Sequence, residues 1–185
     1  MLDELGLKYD TDKSSQEHDF LVDYEDYLKD KKINSMLEIG IFKGGSLRMW
    51  GEYYPEATIY GIDIDPAYLI NEGNIHSYLI DQREAMALEF FVKNKNLDLV
   101  IEDGSHMWVD QWNSFLTIFP LLKSGAVYII EDLHTSFHSF YEGKITPYEI
   151  FRMIPVFTLI SEMRWIEKNL KTKHGGSRSL ILKRR

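Results

Sequence analysis

Residues 35–50 read S-M-L-E-I-G-I-F-K-G-G-S-L-R-M-W. They begin as a short apolar strand over Met36–Ile39, turn through glycines, and continue as a helix that carries Leu47 and Trp50. A strand, a glycine turn and a helix in this order open the nucleotide site of a βαβ protein. The glycines let the backbone pass close to a ligand, and the helix N-terminus offers free N–H groups. This stretch predicts a ligand site at the end of the first strand.

The spacing of the turn is E-x-G-x-x-x-G-G-S, which differs from the G-x-G-x-x-G of dinucleotide-binding proteins. Glu38 lies inside the predicted strand, where its carboxylate would repel a pyrophosphate. It suits a ligand that has an amino group and no phosphates. An NAD-linked oxidoreductase is therefore the weakest interpretation of this turn.

The composition is that of one globular domain of 185 residues, with 44% hydrophobic and 14% aromatic residues. A formal net charge of −8 disfavours nucleic acid and anionic membranes as partners. The absence of cysteine excludes disulfides, thiolate zinc sites and a cysteine nucleophile. We expect no signal peptide, because the first residues are acidic, and no apolar run approaches the roughly 20 residues of a membrane span. We expect a soluble, cytoplasmic protein.

Strands and helices alternate between residues 36 and 130, which predicts a Rossmann-like, doubly wound α/β domain with a mostly parallel sheet. Residues 1–34 form an N-terminal arm and a helix, residues 35–133 the βαβ core, and residues 134–185 a helix and a closing antiparallel hairpin. Within the last part we predict a helix at Pro147–Ile154, strands at Val156–Trp165 and Ser179–Lys183, and a connection over Lys168–Ser177. Tyr9–Lys13 is typical of a solvated, turn-rich loop.

An acid follows the second predicted strand, Thr58–Ile62. Asp63 lies about 20 residues beyond the glycine turn, where this architecture holds a ribose diol. Two carboxylate oxygens can accept hydrogen bonds from two vicinal hydroxyls. The alternative is that Asp63 caps a helix that begins at Pro66.

Acidic residues also follow two later predicted strands, Leu97–Ile101 and Ala126–Ile130. Asp103 comes after the first of them, and Glu131 and Asp132 come after the second. Neighbouring strands would bring these carboxylates together, and oxygen ligands with positions left for water or substrate describe a Mg²⁺ site. His106 would lie at its mouth as a proton acceptor. Alternatively, Glu102 and Asp103 cap the next helix, and Glu131 and Asp132 form a solvated strand exit. Of the other histidines, His134 and His138 are weaker site candidates, whereas His18, His76 and His174 are predicted at the surface.

These motifs resemble those of the class I S-adenosylmethionine (SAM)-dependent methyltransferases. More narrowly, the chain is similar to the metal-dependent macrolide and rhamnosyl sugar O-methyltransferases, whose sequence neighbourhood includes cephalosporin-hydroxylase-like proteins. The matching pieces are T-D-K at 11–13, L-E-I-G and G-G-S-L within 37–50, G-I-D-I at 61–64, D-Q at 81–82, D-G-S-H at 103–106 and E-D-L-H-T-S at 131–136. Glu102 departs from the family, which often has aspartate there.

The resemblance implies a role for each matching position. Asp103, Glu131 and Asp132 would bind Mg²⁺, and His106 would be the general base. The arm that carries Thr11 and Lys13 would fold over the cofactor, contrary to its solvated interpretation. The residues implied in SAM binding are Thr11, Lys13, Glu38, Gly40, Ser46, Asp63, Asp81 and Gln82.

The implied reaction is methyl transfer to a sugar hydroxyl of a glycosylated natural product or a saccharide. Mg²⁺ chelated by vicinal hydroxyls would acidify one of them, and His106 would take its proton. Two alternatives stay open: a Mg²⁺-dependent catechol or small-phenol O-methyltransferase, and a non-catalytic SAM-binding module. The expected partners are a small-molecule or glycoside acceptor and, in a homo-oligomer, further copies of the chain.

Overall fold

The computed structural model describes residues 1–137, 159–168 and 177–185. They form one eight-stranded sheet in the order β3-β4-β2-β1-β5-β6-β8-β7. The five strands from β4 to β6 are parallel, and β3, β7 and β8 are antiparallel to their neighbours. The strands are β1 (Ser35–Ile39), β2 (Thr58–Asp63), β3 (Asn71–Glu72), β4 (Ile75–Leu79), β5 (Leu99–Glu102), β6 (Val127–Ile130), β7 (Ile160–Lys168) and β8 (Ser177–Arg184).

In the described part of the chain, five α-helices cover the two faces of this sheet, which confirms the predicted α/β class. The helices are α1 (Leu2–Lys8), α2 (Leu21–Leu28), α3 (Gly45–Tyr53), α4 (Ala85–Val92) and α5 (Trp108–Ile118). Short 3₁₀ helices lie at Pro66–Tyr68, Phe119–Leu121 and Leu133–Phe137. The first three α-helices contribute to one core and the last two to the other. Helix α1 falls in the arm for which the sequence predicted only polar, turn-rich chain.

Side chains of β1 alternate between the two cores, as the period of a strand requires. Met36 packs in the core of α1–α3, and Leu37 and Ile39 pack in the core of α4 and α5. Glu38 therefore lies on the same face as Met36, toward the N-terminal helices. It is fully buried.

The glycine turn after β1 depends on a close approach of two backbones. Gly40 has φ +91°, and a side chain there would collide with the backbone carbonyl of Asp103. Only glycine tolerates both the left-handed conformation and this contact. The turn is thereby held against the loop after β5.

The C-terminal strands pair as predicted, with β8 antiparallel to β6 and β7 antiparallel to β8. The predicted helix at Pro147–Ile154 lies outside the described residues, as does most of the predicted Lys168–Ser177 connection. Within the described ranges, no helix is both long enough and apolar enough to cross a membrane.

Candidate active site

The acidic residues meet at the carboxyl edge of the sheet because β5 and β6 are neighbours. Asp103 directly follows β5, and Glu131 and Asp132 directly follow β6. This edge also contains the point where strand order reverses, between β1 and β5, which is where such sheets bind ligands. His106 and Asp132 have left-handed backbones, with φ +58° and +54°. Strained non-glycine residues of this kind cluster at functional sites.

Both non-functional interpretations of these acids are wrong. Glu131 and Asp132 are buried, with 1% and 7% of their surface exposed, so they are not a solvated strand exit. Helix α5 begins at Trp108 with Met107 as its N-cap and without a side-chain cap, so neither Glu102 nor Asp103 caps it.

Lys13 is the unexpected member of the site, because its ammonium lies among the carboxylates. Its Nζ contacts Asp103, lies 2.9 Å from Glu131 Oε2 and 3.4 Å from Glu38 Oε1. The side chain is 1% exposed. Burial opposes its charge, but the three carboxylates outweigh burial and raise the Lys13 pKa well above its usual value. The position of Lys13 over a cofactor, which the resemblance implies, stays a prediction; in the structure its ammonium forms ion pairs with the acids of the site.

Burial raises the pKa values of the carboxylates, whereas the neighbouring ammonium of Lys13 lowers them. It raises the pKa of Glu38 to about 7, against the opposing influence of Lys13 and Ser46. Burial also raises the pKa of Glu131 well above its usual value. A cationic group entering the site would offset this cost of burying negative charge.

One group of side chains has the spacing of a metal site: Asp103, His106 and Asp132 each offer a ligand atom, and these atoms lie within 4.8 Å of one another. His106 Nδ1 is 3.9 Å from Asp103 Oδ1, and its Nε2 is 3.8 Å from Asp132 Oδ2. Glu131, the third predicted ligand, lies outside this group and accepts a hydrogen bond from Lys13 through Oε2. Its other oxygen, Oε1, is buried and has no hydrogen-bond partner among the described residues.

A cavity of about 560 Å³ adjoins the acids and is lined by the N-terminal arm, the glycine turn and the ends of β2 and β5. Glu38 Oε1 accepts a hydrogen bond of 2.6 Å from Ser46 Oγ, whereas Glu38 Oε2 is buried without a partner in the described part of the chain. An unsatisfied buried carboxylate oxygen is costly unless a donor reaches it. The cavity wall includes Asp10, Thr11, Asp12, Lys13, Glu38, Gly40, Phe42, Ser46, Asp63, Tyr68, Asp103 and His106.

Asp63 lies at the end of β2 and lines this cavity. Its Oδ2 accepts from the backbone N–H groups of Ile41 and Phe42 at 2.8 and 3.2 Å, and its Oδ1 accepts from the N–H of Asp65 at 2.9 Å. The helix cap before Pro66 is Asp65, whose side chain accepts from Ala67. The capping interpretation of Asp63 is therefore wrong, and its carboxylate fixes the glycine turn instead.

A second cavity of about 340 Å³ shares Gly40, Asp63 and Gly104 with the first and contains both Asp81 and Gln82. Gln82 is buried: its Nε2 donates to Glu102 Oε1 at 2.9 Å, and its Oε1 accepts from the Ser105 N–H at 2.9 Å. Asp81 binds the side chain of Arg83 at the surface, which lowers the pKa of Asp81. Gln82 thus supports the loop that carries Asp103.

Sequence reasoning placed His18 at the surface, which is wrong. Its ring is 16% exposed and stacks on Phe20, and its Nε2 lies 3.8 Å from Asp132 Oδ1. No local pattern distinguishes it, because Ser177 and Asp132, which its two ring nitrogens face, come from distant parts of the chain. His76 is exposed as predicted, whereas His138 and His174 lie outside the described residues.

No protein-family model matches the chain. It is 34% identical over 158 residues to mycinamicin VI 2''-O-methyltransferase of Micromonospora griseorubida, covering 80% of this chain and 40% of that protein. It is also 34% identical over 156 residues to 8-demethyl-8-(2-methoxy-alpha-L-rhamnosyl)-tetracenomycin-C 3'-O-methyltransferase of Streptomyces olivaceus, covering 78% of this chain and 40% of that one. The chain thus spans 40% of the length of these relatives.

Among solved structures, the fold is similar to that of the MycE methyltransferase of the mycinamycin pathway in complex with Mg, SAH and mycinamycin VI. The TM-score is 0.82 at 27% identity, over 99% of this chain and 54% of that one. The N-methyltransferase NodS from Bradyrhizobium japonicum, at 11% identity and a TM-score of 0.62, shares only the fold.

Proposed function

The chain is a member of the class I SAM-dependent methyltransferases, related to sugar O-methyltransferases of macrolide and tetracenomycin pathways, and from this premise we propose that it methylates a sugar hydroxyl with the assistance of Mg²⁺. The observation that carries the proposal is the convergence of Asp103, His106 and Asp132 beside the cavity of the glycine turn. The names of the relatives supply the sugar acceptor.

The residues that line the site fit both SAM and Mg²⁺. Glu38 Oε2, buried and without a partner in the described chain, can accept from the α-amino group of SAM, and Asp63 offers its carboxylate to the ribose. Thr11, Gly40 and Ser46 line the same cavity, and Asp81 and Gln82 line the adjoining one, on the side assigned to adenine or ribose. When bound, SAM supplies a methyl group already activated by its sulfonium charge.

Asp103 and Asp132 would hold the metal, because Mg²⁺ prefers oxygen ligands. We also propose Glu131 as a metal ligand through Oε1, the oxygen that does not accept a hydrogen bond from Lys13. When bound, Mg²⁺ supplies positive charge that makes a sugar hydroxyl more acidic.

His106 then has the chemistry of the general base. Its imidazole lies within 4 Å of both aspartates and lines the cavity of the glycine turn, so it stands between the proposed metal ligands and the cofactor side of the site. The imidazole is 27% exposed at the rim, where an acceptor hydroxyl can reach it. The remaining side chains position the two substrates, which accounts for most of the rate in a reaction with an activated donor.

The proposed partners are a small-molecule or glycoside acceptor and other copies of the chain, with neither nucleic acid nor membrane. We also propose a cytoplasmic location. The net charge of −8 supports the exclusion of nucleic acid, since binding to phosphates requires basic surfaces.

Methyl transfer from labelled SAM to a rhamnoside and to a catechol, each with Mg²⁺ or with EDTA, tests the proposal. We expect Mg²⁺-dependent transfer to the sugar and its loss in His106→Ala and Asp103→Asn, with His76→Ala as the matched histidine control. Preferred transfer to the catechol would favour the small-phenol alternative. Binding of SAM without turnover on either diol would favour a non-catalytic module.

A further inference from the structure

His18 connects the N-terminal arm to the last strand of the sheet. Its Nδ1 lies 2.5 Å from Oγ of Ser177, which is 159 residues later in the chain. Its ring stacks on Phe20 with centroids 5.4 Å apart and planes at 11°. The ring therefore has a fixed position and a fixed orientation, although it comes from an irregular segment between α1 and α2.

The other ring nitrogen faces the candidate metal group. Nε2 lies 3.8 Å from Asp132 Oδ1 and 4.0 Å from Asp12 Oδ2. Asp132 Oδ1 is buried and has no hydrogen-bond partner among the residues described, whereas Oδ2 of the same carboxylate faces His106 at 3.8 Å. Oδ2 thus faces His106, whereas Oδ1 faces His18 of the arm and His134 of its own loop.

A serine hydroxyl can donate to Nδ1, which leaves the ring proton on Nε2, the nitrogen that faces Asp132. Carboxylates that bind metals are usually held by such a donor behind them, and the donor sets their orientation. His134 Nδ1 lies at the same distance from Asp132 Oδ1, but it is only two residues away in the chain, so it does not tie Asp132 to another element of the fold. His18 is anchored elsewhere, on β8.

We propose that His18 is a positioning residue that holds the Asp132 carboxylate in the orientation required for a divalent cation, with Ser177 fixing the ring. The inference rests on the proposed function, because it takes Asp132 as a metal ligand. It gives the N-terminal arm a second role beside that of Lys13: the arm completes the support of the metal site from the side opposite His106.

Two substitutions separate the nitrogens of the ring. His18→Asn keeps a polar group near Nδ1, in reach of Ser177, and has nothing in place of Nε2. His18→Gln keeps a donor near Nε2, in reach of Asp132. If His18 only anchors the arm to β8, the His18→Asn variant should bind a divalent cation better than the His18→Gln variant. If His18 acts on Asp132, the His18→Gln variant should bind it better.

The measurement is the affinity of the full chain for Mn²⁺, used as an oxygen-binding substitute for Mg²⁺ and followed by electron paramagnetic resonance without SAM or acceptor. We expect His18→Asn to weaken binding by about 10-fold or more and His18→Gln to stay within about threefold of the unmodified chain. Ser177→Ala should weaken binding less than His18→Asn does, and it should add nothing to His18→Asn in the double variant. His76→Asn, at an exposed position, is the control.

Equal Mn²⁺ affinities of the His18→Asn variant and the unmodified chain would overturn this inference and leave the proposed function standing. Weaker binding by His18→Gln than by His18→Asn would also overturn it, since anchoring would then be the whole role. Failure of the unmodified chain to bind Mn²⁺ would overturn both this inference and the metal part of the proposed function.

Discussion

Nζ of Lys13 lies 2.9 Å from Oε2 of Glu131, although 118 residues separate them in the chain. The same ammonium contacts Asp103 after β5 and approaches Glu38 in β1. One cation from the N-terminal arm therefore connects the ends of three strands. Without it, the carboxylates would be buried at close range with no lysine or arginine of the described residues among them, which is unfavourable.

Lys13→Met should destabilise the metal-free protein strongly. Removing one partner of a buried charge cluster leaves the others uncompensated and typically costs about 3–5 kcal/mol. Lys8→Met is the matched control, because Lys8 forms its ion pair with Glu52 at the surface, where such pairs contribute little. Urea unfolding of both variants measures the difference, and equal midpoints would show that the Lys13 cluster contributes nothing to stability.

The raised pKa of Glu38 predicts that cofactor binding depends on pH. The α-amino group of S-adenosylhomocysteine is cationic and binds the ionised carboxylate, which is lost as the pH falls through about 7. The affinity at pH 6 should be about tenfold weaker than at pH 8. Calorimetric titration at the two pH values measures this, and Glu38→Gln should bind weakly at both.

Stability should change in the opposite direction. The folded protein binds a proton on Glu38 that the unfolded chain, with a pKa of 4.5, has already released. The contribution of Glu38 to the stability of the free protein therefore falls as the pH rises from 4.5 to about 7, and Glu38→Gln removes this part of the slope. Affinity that is independent of pH in the unmodified chain would contradict the assignment of Glu38 to the amino group.

Gly40→Ala should be more damaging than Gly73→Ala. Both glycines have positive φ, +91° and +56°, so alanine strains the backbone at both, at about 1–2 kcal/mol each. A side chain at Gly73 meets no atom of residues 1–137, 159–168 or 177–185 within 4 Å, whereas at Gly40 it collides with the Asp103 carbonyl. We expect a further loss of about 1–3 kcal/mol in Gly40→Ala, measured by urea unfolding. Equal losses of unfolding free energy in the two variants would mean that the loop after β5 shifts at no cost to make room for the alanine side chain.

Asp63→Asn tests the ribose role against a purely structural one. An asparagine oxygen can still accept from the Ile41 and Phe42 N–H groups, so the turn should persist, but the charge offered to the ribose is lost. We expect affinity for S-adenosylhomocysteine to fall at least about tenfold. Asp65→Asn, at the 3₁₀-helix cap, should leave it unchanged. A larger loss of affinity in Asp65→Asn than in Asp63→Asn would exclude Asp63 from the cofactor site.

The sheet could be predicted because its signals are local. Glu38 and Gly40 indicate the turn after the first strand, and the acids after β5 and β6 directly follow buried apolar runs. Helix α1 was missed because it is short and carries Gly6, a poor helix former. The structure explains that glycine, since a side chain there would collide with Leu21.

The interior of the site was less predictable, because its contacts join distant parts of the chain. Neither the ion pair of Lys13 with Glu131 nor the contact of His18 with Ser177 leaves a periodic pattern in the sequence. Asp63 was a possible helix cap from its place shortly before Pro66, but the backbone path brings the side chain of Asp65 to the N–H of Ala67.

The most direct measurement is calorimetric titration of S-adenosylhomocysteine into the metal-free chain, repeated with Mg²⁺. The proposed activity predicts saturable, micromolar binding, with a change in heat when Mg²⁺ is present because Lys13 contacts both Glu38 in the cofactor cavity and Asp103 in the metal group. Absence of binding in both conditions would leave the fold intact and contradict the assignment of the cavity to this cofactor.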